Sequence, residues 1–382
     1  MYIRNLDLLK LIKKKSFFLF GPRSTGKTTL MEQQFPNTKL YDLLENETFN
    51  RLAQRPSLIE EENPTENGLS KIIIIDEIQK LPKLLDEVHR LIKKKNLRFL
   101  LSGSSARKLK RGASNLLGGR AWEAHLFPLV YPEIPDFNLI QYLNRGGLPY
   151  IYGSDDYKEE LKNYTNLYLR EEIIQEGLVK KYDYFLRFLD TIALTNGKEL
   201  NYEQLGSDAG VPSRTIINYV QILIDTLMAY EVLPFTETVS RKATTKSKLY
   251  LFDIGVVNYL AKKGEISSGS IEFGHNFEHF IINEIKAYLD YTRIDEKLYY
   301  WRTKSGLGVD CIIGKHIAIE IKSTNLVSEK HLKGLLALKE ENICKQYIVI
   351  SNDKSKRLLN NKITIYPWEK FLSELWSHKI IS

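Results

Sequence analysis

Two stretches near the beginning of the chain carry residues whose types and spacing suit phosphate chemistry. The first, Gly21 to Thr28, has the pattern G-x-x-x-x-G-K-[ST] between a short apolar run and a helical pattern. In such a loop the glycines let backbone N–H groups approach a phosphate, Lys27 reaches the β and γ oxygens, and the Thr28 hydroxyl enters a magnesium shell. We therefore predict a phosphate-binding loop made of Gly21, Pro22, Arg23, Ser24, Thr25, Gly26, Lys27, Thr28 and Thr29.

The second stretch is an acidic pair, Asp76 and Glu77, that follows the apolar run Lys71 to Ile75. Such a run is typical of a parallel strand buried on both faces. Asp76 at the strand end can hold a magnesium-bound water, and Glu77 can polarise the water that attacks a γ-phosphate. Beside the glycine loop, the pair predicts magnesium-dependent binding and hydrolysis of ATP; the alternative is an acidic cap of the following helix.

A further buried strand is predicted at Arg98 to Leu101, directly before Ser102. Ser102 is a candidate for sensing the γ-phosphate, and capping of the next helix is an equal alternative. An arginine could stabilise the charge of the transition state. We place Arg120 first and Arg107 second for this role, although arginines are also common at surfaces.

The last third of the chain carries carboxylates at spacings that suit a metal site. Glu278 lies within the apolar arc of a helix predicted from Asn276 to Tyr291, where a carboxylate needs a partner or a metal. Three strands are predicted downstream, at 297–302, 307–313 and 316–322.

Strand periodicity places Glu320 and Lys322 on one face of the third strand, with Asp310 on its neighbour. Two carboxylates and a lysine can bind magnesium and position a water for phosphodiester cleavage. We therefore predict Glu278, Asp310 and Glu320 as metal ligands and Asp310, Glu320 and Lys322 as catalytic residues. The alternative is an ion pair between a lysine and a glutamate on a solvated sheet face.

The middle of the chain has helix-turn-helix spacing, with helices predicted at 201–207 and 213–228. The second helix carries an exposed stripe of residues that can read base edges, Arg214, Asn218 and Gln221. A hairpin follows whose basic tip would contact phosphates through Arg241, Lys242, Lys246 and Lys248. This predicts a winged helix that binds DNA; a packing or lid module is the alternative, because Asp225 on the same stripe would repel a DNA backbone.

These residues require three sets of elements to position them. We predict a multidomain α/β protein with a P-loop domain of parallel strands at 1–150, a helical and winged-helix region at 151–265, and a nuclease-like α/β domain at 266–382. The formal net charge of +8 permits attraction to polyanions. No leader and no run of about 18 apolar residues occurs, which predicts a cytoplasmic protein without a membrane partner.

Taken together, these motifs resemble a widespread prokaryotic family of AAA-type ATPases whose C-terminal half is a domain of unknown function. The resemblance covers nearly the whole chain and rests on GPRSTGKTT, IIIIDEIQKLP, LSGSSAR, LLGGR, GGLP, LFDIG, VDCII and IAIEIKS. It implies an N-terminal AAA-type fold, a winged helix, and a C-terminal domain similar to restriction endonucleases of the PD-(D/E)xK kind. Family members commonly place a glutamate two residues before the strand aspartate, where this chain has Gly308.

Two functional hypotheses follow from the motifs and the resemblance. In the first, ATP hydrolysis controls a winged helix that binds DNA or another nucleic acid, together with a metal-dependent nuclease-like domain. In the second, the chain is a nucleotide-switched signalling ATPase whose C-terminal domain binds a protein and cleaves nothing. A homo-oligomer is compatible with both.

Overall fold

The computed structural model describes residues 1–64, 71–104, 116–169, 179 and 181–381 of the chain. These residues form two compact units. The first unit is Met1–Phe127 with Asp225–Met228, and the second is Pro128–Ile224 with Ala229–Ser382. No helix among the described residues is both long and apolar enough to cross a membrane.

The first unit contains a parallel sheet of five strands in the order β2-β3-β4-β1-β5. Its strands are β1 Ser16–Phe20, β2 Leu40–Asp42, β3 Ile72–Asp76, β4 Arg98–Gly103 and β5 Ala121–His125. Its helices are α1 Leu8–Lys14, α2 Lys27–Gln34, α3 Asn46–Gln54, α4 Leu58–Glu62 and α5 Leu84–Lys95, with 3-10 turns at Ile78–Lys80 and Leu116–Gly119. The predicted N-terminal α/β region with a parallel sheet is thus confirmed.

The strand order decides which side chains can meet in this unit. Every residue of β1 is buried, as expected for a central parallel strand that is covered on both faces. β4 lies between β1 and β3, so the carboxyl ends of all three strands lie at one edge of the sheet. The glycine loop, Asp76 and Ser102 follow or close these strands and therefore share that edge.

The second unit contains a mixed sheet of eight strands in the order β12-β13-β11-β10-β9-β8-β6-β7. Its strands are β6 Ala229–Pro234, β7 Lys248–Leu251, β8 Leu298–Arg302, β9 Gly308–Ile313, β10 Ile317–Ile321, β11 Gln346–Ser351, β12 Arg357–Leu358 and β13 Ile363–Pro367. β6 pairs in parallel with β8, so the hairpin β6–β7 and the C-terminal strands form one sheet across residue 265. The predicted domain boundaries at 150 and 265 remain a prediction.

The helices of the second unit lie before, between and after its strands in sequence. They are α6 Leu139–Arg145, α7 Pro149–Tyr152, α8 Tyr157–Asn163, α9 Tyr182–Leu194, α10 Tyr202–Ala209, α11 Ser213–Asp225, α12 Ile254–Leu260, α13 Ile271–Thr292, α14 Lys333–Lys339 and α15 Trp368–Trp376, with a π-helical turn at Tyr164–Leu169 and 3-10 turns at Tyr131–Glu133 and Glu329–His331. The region predicted to be helical from residue 151 thus begins with the end of α7, α8 and the π-turn.

The helix-turn-helix pattern has a local physical basis. Asn201 caps α10 by accepting a hydrogen bond from the backbone N–H of Gln204, and Gly210 ends the helix in the left-handed conformation at φ 62°. The second helix, α11, ends at Asp225, three residues earlier than predicted, because Leu227 adopts a left-handed φ of 61° before β6 begins.

The C-terminal helix α13 is longer than predicted. Its N-cap is Ser270, whose hydroxyl accepts a hydrogen bond from the N–H of Phe273. The helix therefore begins at Ile271, five residues before the predicted start at Asn276. The three strands predicted next are present as β8, β9 and β10, each within two residues of its predicted ends.

Candidate functional site

The glycine loop curls through left-handed backbone positions at Ser24 (φ 63°) and Gly26 (φ 90°) before α2 begins at Lys27. Lys27 is buried, and its Nζ donates to the carbonyl oxygens of Gly21 at 2.8 Å and Pro22 at 3.1 Å. The structure thus holds the lysine against the main chain of the loop. Both of these hydrogen bonds could be exchanged for bonds to phosphate oxygens.

Two residues outside the motif, Leu126 and Arg4, keep the loop in place. A Cβ on Gly21 would lie 2.5 Å from the carbonyl oxygen of Leu126, so no larger residue fits there. The buried Arg4 donates from its guanidinium to the carbonyl of Thr25 at 2.6 Å and to that of Phe127 at 2.6 Å. Sequence reasoning missed Arg4, since an isolated arginine before the first helix carries no motif that marks it as a brace.

Asp76 lies at the centre of the predicted magnesium site. It is 2% exposed, and its Oδ2 accepts a hydrogen bond of 2.6 Å from the Thr28 hydroxyl. Its Oδ1 accepts from the Ser102 hydroxyl and, at 2.9 Å, from the backbone N–H of Glu77. Carboxylate and hydroxyl oxygens are hard ligands of the kind that magnesium prefers, so these residues fit the predicted ion.

The side chain of Glu77 is held by a residue that the sequence did not single out. Gln79 is buried on the 3-10 turn after β3, and its Nε2 donates to Glu77 Oε2 and, at 3.2 Å, to the Ser104 hydroxyl. Its signal in the sequence is a polar, uncharged residue two positions after the acidic pair. The structure thereby connects the ends of β3 and β4 through side chains.

Arg120, the first candidate for an arginine finger, lies directly before β5. Arg120 is half-buried between the 3-10 turn Leu116–Gly119 and β5, and its backbone N–H donates to Leu117 O at 2.9 Å. Its function as an arginine finger stays a prediction. Arg107 lies outside the described residues.

The second group of predicted residues lies on the sheet of the second unit. β9 and β10 are antiparallel, and Lys322 Nζ lies 2.6 Å from Glu320 Oε1 and 3.3 Å from Asp310 Oδ2. The backbone N–H of Ile321 also donates to Asp310 Oδ2 at 2.8 Å. The structure thus brings Asp310, Glu320 and Lys322 together. Burial, with the neighbouring Asp310 charge, raises the pKa of Glu320.

Glu278 does not join this set as a free metal ligand. Its Oε1 accepts hydrogen bonds from Lys248 Nζ at 3.0 Å and from the Tyr250 hydroxyl at 2.7 Å. Burial opposes the charge of Lys248, yet the carboxylates of Glu278 and Asp310 raise the pKa of Lys248 above its ordinary value. Glu278 and Lys248 therefore form a charged pair.

The predicted set of three carboxylate ligands is accordingly not assembled. Within the part of the chain that the structure describes, no group of three or more His, Cys, Asp or Glu residues could hold a metal ion. The reason is that two lysines occupy the cluster: Lys248 holds Glu278, while Lys322 holds Asp310 and Glu320. One ligand atom is nevertheless unused, because Glu320 Oε2 is buried without a hydrogen-bond partner among the described residues.

The residues predicted to contact nucleic acid divide into two groups. One face of α11 carries the exposed side chains of Arg214, Asn218 and Gln221. Lys242 and Lys246, in the segment after β6, are also exposed. Lys248, by contrast, is buried in β7, so it cannot contact a phosphate at an exposed tip as predicted. Arg241 is also engaged, because its guanidinium pairs with Glu340 and, at 3.5 Å, with Glu341.

A parallel sheet with a glycine loop after β1 and an acidic pair after β3 defines a P-loop nucleotide-binding domain. Comparison with protein families agrees. A family model described as an AAA domain matches residues 13–135, which supports ATP binding and hydrolysis by this part of the chain. Two models of domains of unknown function match residues 136–267 (DUF8612) and 273–371 (DUF4143), so the endonuclease-like fold of the C-terminal part stays a prediction.

Similar proteins span most of the chain. An uncharacterized protein of Mycobacterium tuberculosis is 26% identical over 323 residues, covering 81% of this chain and 70% of the relative. An uncharacterized protein of Methanocaldococcus jannaschii is 23% identical, covering 94% of this chain and 85% of the relative. Neither name assigns a function.

A solved structure was also matched, that of a Signal Transduction ATPase with Numerous Domains (STAND) protein with a tetratricopeptide repeat sensor from Pyrococcus horikoshii. It is 17% identical and covers 75% of this chain, which spans 47% of that protein. The TM-score is 0.22.

Proposed function

We propose that the chain is a magnesium-dependent ATPase whose reaction takes place at the edge of the five-stranded sheet. The observation that carries this proposal is the convergence on Asp76: the Thr28 hydroxyl and the Ser102 hydroxyl both donate to its carboxylate, and Glu77 follows it directly. Thr28 from the loop, Asp76 from β3 and Ser102 from β4 thus meet in one cluster. In this proposal the β- and γ-phosphates bind beside that cluster and Lys27.

Each of these residues has a distinct proposed role. Lys27 exchanges its bonds to the loop carbonyls for bonds to phosphate oxygens, and the main-chain N–H groups of the loop orient the phosphates. Thr28 and Asp76 hold magnesium, which neutralises charge on the β- and γ-phosphates. Glu77 accepts a hydrogen bond from the attacking water, and Ser102 fixes Asp76 and lies near enough to the strand edge to sense the γ-phosphate.

The decisive experiment compares Glu77→Gln with Glu47→Gln, an equivalent change at an exposed glutamate on α3. Glu77→Gln should bind a fluorescent ATP analogue within about threefold of the wild-type affinity and hydrolyse ATP at least ~100-fold more slowly, since general-base catalysis contributes roughly 10²–10⁴-fold. Glu47→Gln should behave as wild type. Full turnover by Glu77→Gln would exclude Glu77 from this role.

We propose as a second function that the second unit binds duplex nucleic acid through the exposed face of α11. Arg214, Asn218 and Gln221 lie on that face, and these residue types form hydrogen bonds to base edges. Fluorescence anisotropy of a labelled duplex at several salt concentrations tests this, with Arg214→Ala compared with Arg55→Ala, another exposed arginine. Equal affinities for the two variants, or no binding by wild type, would contradict it.

The cluster of Asp310, Glu320 and Lys322 is the proposed site of any phosphodiester cleavage. The observation in its favour is the buried, unpartnered Oε2 of Glu320 beside a lysine that contacts both carboxylates. Plasmid, linear DNA and RNA incubated with magnesium or manganese should be cleaved by wild type and left intact by Asp310→Ala and Lys322→Ala. Intact substrates with wild type would favour the alternative of a non-cleaving, protein-binding domain in a nucleotide-switched regulator.

A further inference from the structure

Gln79 occupies a buried position between the two strand ends that form the nucleotide site. The 3-10 turn Ile78–Lys80 after β3 turns the chain back, so that the side chain of Gln79 lies beside Glu77. Its amide nitrogen donates to Glu77 Oε2 and to the Ser104 hydroxyl at 3.2 Å. The glutamate and the end of β4 are therefore joined by one side chain that is 6% exposed.

The orientation of this amide is determined by its neighbours. The two amide hydrogens are donors, whereas the amide oxygen can only accept, so a flipped amide would place its oxygen against the Glu77 carboxylate. The amide oxygen instead points away and is buried without a partner among the described residues. This orientation keeps the bond to Glu77 and leaves one buried oxygen without a partner, which costs free energy.

Two backbone features accompany the contact between Gln79 and Glu77. A Cβ on Gly103 would lie 2.5 Å from Gln79 Oε1, so the glycine at the end of β4 makes room for this side chain. Glu77 itself adopts a left-handed φ of 56°, a conformation that a non-glycine residue rarely holds unless the surroundings impose it. Its backbone N–H is fixed by Asp76 Oδ1 at 2.9 Å, and its carboxylate is fixed by Gln79.

We propose that Gln79 is a positioning residue for ATP hydrolysis, holding the Glu77 carboxylate in the orientation that receives the attacking water and linking it to the end of β4. This inference rests on the proposed ATPase function and on Glu77 as the base. Without the amide, the carboxylate of Glu77 loses the hydrogen bond that Gln79 Nε2 donates to it. Misplacement of a catalytic group lowers the rate of the chemical step more than it lowers substrate affinity.

The test measures kcat, KM and the affinity for a fluorescent ATP analogue in the full-length chain. Gln79→Ala should lower kcat at least about tenfold and leave the analogue affinity within about twofold. Gln79→Glu has nearly the same volume but places a second carboxylate against Glu77, so its kcat should fall at least as far. A loss of folding by Gln79→Ala would be seen as a lower melting temperature, and Gln79→Glu then provides the comparison.

The coupling between the two residues separates positioning from a general structural effect. In the Glu77→Gln background, measured under single-turnover conditions with enzyme in excess, Gln79→Ala should change the rate less than about twofold, because the group that Gln79 positions is already missing. An equal loss in both backgrounds, or an unchanged kcat in Gln79→Ala alone, would overturn the inference. Failure of the underlying ATPase proposal would be seen independently, as no hydrolysis by wild type or full turnover by Glu77→Gln.

Discussion

The molecule contains two sites in which a lysine lies among polar groups, and they are arranged differently. In the P-loop, Lys27 donates to the main-chain carbonyls of Gly21 and Pro22, and Asp76 accepts from the hydroxyls of Thr28 and Ser102. In the second unit, Lys322 lies between two carboxylates and Lys248 is paired with a third. Lys27 thus donates to two neutral carbonyls, whereas Lys322 and Lys248 lie in ion pairs.

This difference has an energetic consequence for ligand binding. A hydrogen bond between a lysine and a neutral carbonyl can be replaced by one to a phosphate oxygen with a net gain in charge interaction. A lysine in a part-buried ion pair must first lose an opposite charge, and the carboxylate left behind must find a new cation. The P-loop is therefore suited to exchange of ligands, whereas the C-terminal cluster must open its ion pairs before it binds a further charged ligand.

The largest expected effect follows from removing the P-loop lysine. Lys27→Ala should lower ATP affinity and hydrolysis by roughly 10²–10³-fold, because the loop loses the lysine charge that the motif directs at the β- and γ-phosphates. Binding of a fluorescent ATP analogue and steady-state hydrolysis measure this. Lys93→Ala, at an exposed lysine on α5, is the matched control. Retained ATP affinity in Lys27→Ala would show that Lys27 does not exchange its carbonyl partners for phosphate oxygens.

The next effect concerns stability and should appear only in the second unit. Lys248→Met should reduce the free energy of unfolding by about 3 kcal/mol, because Glu278 is left part-buried without its cation. Lys246→Met, two residues away at an exposed lysine, should change it by less than about 0.5 kcal/mol. Urea unfolding measures both values.

A double variant makes this prediction stricter. Lys248→Met combined with Glu278→Leu removes both charges and should recover most of the lost stability, since replacement of a buried pair by apolar residues is often neutral. If the double variant were as unstable as the sum of the single changes, the ion pair would not be the cause.

The P-loop site could be predicted in detail because its parts are local. One continuous run of residues determines the loop, and a fully apolar strand places Asp76 and Glu77 at its end. The parallel strand order then brings Ser102 to the same edge. The extra residues Arg4 and Gln79 could not be predicted in the same way, because their roles depend on contacts to carbonyls and side chains that no spacing rule specifies.

In the second unit, the position of Lys248 could not be predicted from local sequence. A cluster of basic residues between two strands predicts an exposed hairpin tip, and for Lys242 and Lys246 the exposure agrees. Lys248, however, belongs to β7, where all residues are buried, and Glu278 lies 30 positions away on another element. Local charge patterning cannot distinguish a solvated lysine from one that is paired in the interior, since both are polar in sequence.

A smaller effect is expected from Thr28, the proposed magnesium ligand of the loop. Thr28→Val keeps the shape of the side chain but removes the hydroxyl that lies 2.6 Å from Asp76 Oδ2. The magnesium concentration for half-maximal ATPase activity should rise about tenfold, the equivalent of ~1.4 kcal/mol. Thr48→Val on α3 is the control. An unchanged magnesium dependence in Thr28→Val would show that the hydroxyl only supports Asp76.

The smallest effect compares two neighbouring basic residues of the second unit, given the proposed binding of nucleic acid. Lys242 is exposed, whereas Arg241 is held by Glu340 and Glu341 and has its charge already compensated. Lys242→Ala should weaken duplex binding about two- to threefold and reduce the salt slope by about one, because one phosphate contact is lost. Arg241→Ala should leave the salt slope unchanged. If Arg241→Ala reduced the salt slope instead, the ion pairs of Arg241 with Glu340 and Glu341 would open on binding. A basic residue in an ion pair could then also exchange its partner for a phosphate.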